Sequence, residues 1–173
     1  MSLYKNKYRI ESNHLKDFDY SSAGNYYITI CVKGRADLFG TVKNRKMILS
    51  QAGEIAAKQW MNLASMFGNI NLGEYIFMPD HMHGIIRIRR KTDKTLHDIA
   101  GAFKSRSTIA VNKIENKTGR KIWQEGFYDR IIRGDMEYFL AGEYIKNNPV
   151  LYEPGMEEKG WYELYKERNK NNL

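Results

Sequence analysis

The residues best suited to chemistry in this sequence are two histidines one residue apart, His81-Met82-His83. They follow an apolar-aromatic run, Tyr75-Ile76-Phe77-Met78, and lead into Gly84-Ile85-Ile86-Arg87-Ile88. Both flanks read as extended chain, and residues i and i+2 of a strand point to the same face. One strand therefore offers two imidazoles side by side to a divalent metal, while Met82 turns into the packed side of the sheet. A second constellation lies between Glu137 and Pro149. Its polar and apolar residues follow a helical period, and Asp135 stands where it can cap the start. At about 100° per residue, Leu140, Ala141, Tyr144 and Asn148 share one arc of that helix. Pro149 lacks an amide and disfavours helical geometry at the residue before it, so the spacing predicts a helix ending at Asn148. If this helix packs under the histidine strand, a phenol and a carboxamide meet two imidazoles. The same residues also suit plain roles: Tyr144 as core, Asn148 as a C-cap, and the histidines as packing.

The elements that must position these groups can be read along the chain. Residues 25–32 alternate as a strand, and residues 40–49 suit a short hairpin around Asn44-Arg45. Ser50 reads as an N-cap, followed by Ala56, Trp60, Leu63 and Phe67 at helical spacing. Residues 70–78 and 82–90 read as antiparallel strands joined at Pro79-Asp80-His81. Leu96, Ile99 and Phe103 begin a second helix that runs to Ile114, and Phe127 to Arg133 form another strand. The tyrosine helix and a charged helix near 161–169 complete the chain. The order β-α-β-β-α-β, with an extra helix, is the split βαβ of an α+β, ferredoxin-like sandwich: an antiparallel sheet backed by helices. A chain of 173 residues suits one domain with a true core. That core is expected over about 15–155, with a C-terminal helical extension at 156–173.

Charge points to a polyanionic partner. The formal net charge is +8 and the pI is about 9.4, and Lys or Arg side chains that neutralise phosphates release counterions. Arg87, Arg89, Arg90, Lys91 and Lys94 follow the histidine strand, and Lys104 and Arg106 lie on the next helix. A merely solvated basic surface would look the same. The single cysteine, Cys31, excludes an intramolecular disulfide and fits a reducing compartment. With neither a secretory leader nor an apolar run of about 18 residues, a cytoplasmic protein without membrane contact is expected.

Four segments in order carry a resemblance: Met78-Pro79-Asp80-His81-Met82-His83-Gly84; Phe103-Lys104-Ser105; Trp123-Gln124 with Phe127-Tyr128-Asp129-Arg130-Ile131-Ile132-Arg133; and Tyr144-Ile145-Lys146-Asn147-Asn148-Pro149. Tyr26-Tyr27-Ile28-Thr29-Ile30-Cys31, followed by Leu38-Phe39-Gly40, adds to it. Over roughly residues 15–155 the chain resembles the single-tyrosine HUH transposases, and most closely the REP-associated tyrosine transposases of bacteria. Asp80 departs from that branch, which commonly has Asn there; the added charge could tighten cation binding or cap the turn.

The resemblance implies a ferredoxin-like fold, Tyr144 as the nucleophile, and His81, His83 and Asn148 as metal ligands. Two imidazoles and an amide oxygen form a sparse donor set with open positions, suited to Mg²⁺ or Mn²⁺ on a phosphate oxygen and unlike a closed zinc centre. The implied substrate is single-stranded DNA beside a hairpin, cut through a phosphotyrosine ester. Arg87, Arg89, Arg90, Lys104, Arg106, Arg130 and Arg133 are the candidate DNA contacts, and Trp123, Phe127 or Tyr128 could stack on an unpaired base. Such aromatics in a strand also serve as core. Glu137 could orient the metal or supply charge to the first helical turn. A homodimer is known among such proteins, as is a monomeric branch. The absence of a leftover apolar stripe favours a monomer. Two other classes remain open: a non-catalytic nucleic-acid-binding module, and a metal-dependent phosphodiesterase that uses water and leaves Tyr144 idle.

Overall fold

Alternation in one central strand separates a packing side from a chemical side. In the computed structural model, which describes residues 14–152 and two short paired strands, β1 (Leu3–Tyr4) and β2 (Lys7–Tyr8), that strand is β3 (Gly24–Cys31). Tyr26, Ile28 and Ile30 are fully buried on one face, and Tyr27, Thr29 and Cys31 point to the other. β3 pairs antiparallel with β7 (His81–Ile88) on one side and with β8 (Tyr128–Ile132) on the other. β6 (Ile70–Phe77) pairs outside β7, which gives the antiparallel order β6-β7-β3-β8. With α1 (Gln51–Met61) between β3 and β6, and α3 (Leu96–Ile114) between β7 and β8, this is the expected split βαβ.

Between α1 and α3 and the first face lies the main core, centred on Trp60, Phe103, Phe39, Phe77, Met82 and Ile86. Ser50 caps α1 by accepting from the Gly53 amide, as its position predicts. The apolar series continues past a break at Asn62 into α2 (Leu63–Met66), so the expected single helix is two. Thr95 and Asp98 form a reciprocal capping box at the start of α3. The hairpin β4 (Gly40–Lys43) and β5 (Lys46–Leu49) turns at Asn44 and Arg45, whose φ values of 51° and 60° suit a two-residue turn.

Gly84 belongs to this packing. A Cβ there would lie 2.5 Å from Trp60 Cζ2, so the indole rests directly on the strand backbone. Gly84→Ala should destabilise the fold by about 1–3 kcal/mol through overpacking. Thermal unfolding and Trp60 emission would register the shift; an unchanged melting point would mean the indole moves freely.

The second face is covered by α4 (Asp135–Leu151), and two local expectations change there. Gly134 takes the N-cap position and Asp135 is the first helical residue without a side-chain cap bond. Glu137 instead accepts from the Arg133 amide at 2.7 Å, satisfying the turn that enters the helix. The helix also runs through Pro149 to Leu151 and does not stop at Asn148. Burial of Ile145, Asn148 and Pro149 holds the last turn in place despite the missing amide. β6 has an irregularity between Leu72 and Tyr75, where Gly73 lies under Tyr138; a Cβ there would lie 2.5 Å from the phenol oxygen. The expected helix near 161–169 lies outside the described residues.

Candidate active site

Strand register brings the two histidines to the α4 side. Cys31 pairs with His81, and Thr29 pairs with His83, so both rings share the face of Tyr27 and Thr29. Their ring centroids are 4.7 Å apart, and both residues are buried. α4 supplies Ala141, Tyr144 and Ile145 to a small core with Tyr27, Ile85 and Ile132. That packing sets the Tyr144 ring 5.6 Å from the His83 ring and 6.4 Å from the Tyr27 ring. Asn148, one turn later, is fully buried. The helix is tied to β6 by Lys146, whose Nζ lies 3.5 Å from Glu74.

Each imidazole is held at Nδ1. The His81 Nδ1 donates to Asp80 Oδ1 at 2.6 Å. His83 Nδ1 lies 2.7 Å from the Tyr27 hydroxyl and 2.8 Å from the Thr29 hydroxyl. Burial acts to raise the Asp80 carboxyl, but hydrogen bonding and charge from His81, with the Arg35 guanidinium, outweigh it and hold the group below its ordinary range. The protein thus engages Nδ1 of each ring, the arrangement usual for histidines that bind a metal through the other nitrogen. Two imidazoles with a buried amide one helical turn from a phenol fit such a cation in donor chemistry.

The structure divides the candidate DNA contacts between surfaces. Arg87 and Arg130 are in register with Asn25 and Tyr27, on the histidine face. Tyr128, in register with Thr29 on the same face, is 45 % exposed. Arg133 is exposed just before α4. Arg89 and Arg90 lie beyond the end of β7, where Arg89 donates to the Gly68 carbonyl at 2.5 Å. Arg106 is exposed on α3, which packs on the opposite face. Lys104, also on α3, donates to the carbonyls of Gln124 (2.6 Å) and Gly126 (3.0 Å), and burial lowers its pKa. It acts as an anchor for the segment before β8. Trp123 is core: it is buried against Phe39 and Phe103, and its Nε1 donates to Ser107 Oγ at 2.9 Å. Phe127 is half-buried and packs against His14 and His97.

Tyr27, Thr29 and Arg35 were not among the expected site residues. Alternation marks Tyr27 and Thr29 as same-face neighbours, but nothing local places them opposite a histidine more than fifty residues away.

Residues 22–148 match the family model described as Transposase IS200 like. The chain belongs to the IS200-like transposases. An uncharacterized protein of Haemophilus influenzae is 33 % identical over 162 residues, covering 82 % of this chain and 89 % of its own. The fold is similar to that of a REP-associated tyrosine transposase bound to a REP hairpin, with a TM-score of 0.57 and 17 % identity over 79 % of this chain and 72 % of that one. This transposase therefore shares the α+β fold of that solved protein, with its histidine pair and the helix of Tyr144 on one face of the sheet. Among its described residues, no helix is long and apolar enough to cross a membrane.

Proposed function

We propose that this transposase is a divalent-metal-dependent endonuclease and strand transferase for single-stranded DNA, cutting beside a hairpin through a covalent bond to Tyr144. The observation that carries the reading is the Tyr144 ring 5.6 Å from His83 within one chain. Its resemblance in fold to a transposase bound to a REP hairpin supports hairpin DNA as the substrate class.

In this reading His81, His83 and Asn148 would hold Mg²⁺ or Mn²⁺, which would supply Lewis acidity at the scissile phosphate. The Tyr144 oxygen attacks phosphorus, the bond to the DNA 3′ oxygen breaks, and a 3′-hydroxyl leaves. The phenol proton passes to water as the bond to phosphorus forms. The ester on Tyr144 keeps the phosphate activated, so an incoming 3′-hydroxyl reverses the chemistry and joins a new strand. Tyr27 and Thr29 hold the His83 ring, and the small apolar core beneath Tyr144 fixes the helix. Arg87, Arg130 and Arg133 bind phosphates, and Tyr128 stacks on an unpaired base.

A labelled hairpin oligonucleotide tests the reading. A covalent protein–DNA band supports it; released products alone indicate a hydrolase, and a mobility shift without cutting indicates a binding module.

Tyr144 beside His83 of its own chain supports a site that one protomer completes. Specific activity should then stay constant on dilution while light scattering reports a monomer. The outer side of α4 does leave Met136 and Phe139 about two-thirds exposed, more apolar surface than the sequence suggests. Activity that falls with dilution would show that two copies are needed.

A further inference from the structure

We infer that Asp80 is a positioning residue, which with Arg35 fixes the His81 ring so that Nε2 faces the site before any cation arrives. The inference rests on the metal-binding reading of His81 and His83, and extends it to residues with no assigned role.

The turn that carries Asp80 is fixed on several sides. Its carbonyl accepts from the Val32 amide at 2.8 Å, and the Pro79 carbonyl accepts from the Leu38 and Phe39 amides, both at 2.9 Å. Met78 N donates to the His81 carbonyl at 2.8 Å, closing the turn on itself. From this base the carboxylate reaches two partners. Oδ1 accepts from His81 Nδ1 at 2.6 Å, and Oδ2 lies 3.0 Å from Arg35 Nε. Arg35 is in the turn after β3, at φ 55°, and its Nη1 is 3.1 Å from Cys31 Sγ. Cys31 is the register partner of His81. The carboxylate is thus clamped between the strand that carries His81 and the turn that leaves its neighbour.

A carboxylate without a proton only accepts hydrogen bonds, and a neutral imidazole has one N–H to give. The proton of His81 therefore lies on Nδ1, and Nε2 is the nitrogen that carries the lone pair. His83 is held differently. Its Nδ1 faces two hydroxyls, each of which can donate or accept. The two rings of one motif are held by different groups at Nδ1, a carboxylate at His81 and two hydroxyls at His83.

Long-range ¹H–¹⁵N NMR of the metal-free full chain reads this directly. The His81 ring should show a single Nδ1–H tautomer at neutral pH. Asp80→Ala should convert it to the Nε2–H form or a mixture, leaving the His83 signals nearly in place. Asp80→Asn keeps an acceptor oxygen and should restore the wild-type pattern. Mn²⁺ titration followed by electron paramagnetic resonance should show affinity falling about 10-fold or more in Asp80→Ala, and staying near wild type in Asp80→Asn. An Nε2–H tautomer for His81 in the wild-type protein would overturn the inference, and that spectrum needs no variant to fold. A folded Asp80→Ala protein with unchanged tautomer and Mn²⁺ affinity would overturn it equally. If the wild-type chain takes up no Mn²⁺ while the His81 tautomer depends on Asp80, the metal-binding reading fails and the positioning role stands.

Discussion

Tyr144→Phe should eliminate the covalent protein–DNA species while leaving the protein folded and able to bind DNA. The substitution keeps the ring that packs against Tyr27, Ile85 and Ile145, so the small core under α4 is preserved. A volume-conserving change of this kind costs under about 1.5 kcal/mol. What it removes is the oxygen proposed to attack phosphorus. The other tyrosines of the region are poorly placed to replace it. Tyr138 packs over Gly73 on β6, and Tyr27 points its hydroxyl at His83 Nδ1. Tyr128 lies across β3 on the exposed edge strand. Trypsin digestion and mass spectrometry of a trapped adduct would locate the nucleotide. Attachment to the peptide bearing Tyr128 or Tyr138, with Tyr144→Phe still active, would refute the assignment.

His81→Ala and His83→Ala should each abolish cleavage and strand joining, with DNA affinity held within about tenfold, because phosphate contacts by basic side chains carry most of the binding. Arg87, Arg130 and Arg133 are untouched by either change. A chelator should reproduce the loss in the wild-type protein, and Mg²⁺ or Mn²⁺ should reverse it. The two variants are expected to differ in stability. His81→Ala leaves Asp80 with Arg35 as a remaining partner, whereas His83→Ala opens a gap between Tyr27, Thr29 and Tyr144. Cutting by the double variant in the presence of a chelator would refute metal dependence.

Much of this arrangement was legible in local chemistry. Alternation placed β3, β6 and β7, and turn residues marked the Asn44-Arg45 hairpin. Same-face spacing placed His81 beside His83, and helical spacing placed Tyr144 with Asn148. Long-range pairing was less accessible. Tyr27 and Thr29 reach His83 only through the β3–β7 register, and Arg35 reaches Asp80 only because the β6–β7 turn folds back on the end of β3. Side-chain competition was equally hidden: Lys104 resembles a phosphate ligand in sequence but is bound to two carbonyls. Tertiary packing also overrode a local rule at Pro149, where burial of the last turn of α4 outweighs proline's preference to end a helix.

The docking of α4 onto the finished sheet has a consequence for a protein that breaks DNA. The ribosome makes both histidines, and the strands that align them, before Tyr144 is reached. Strand β8 and the turn at Gly134 must also form before the helix can settle against Tyr27, Ile85 and Ile132. A nascent chain that stalls before α4 carries the two histidines but lacks both Tyr144 and Asn148, and a chain whose β3 slips by one residue sends Tyr27 and Thr29 to the wrong side. Under the proposed chemistry, then, incomplete or misaligned copies lack a complete site, and the capacity to cut is acquired last and only by correct assembly.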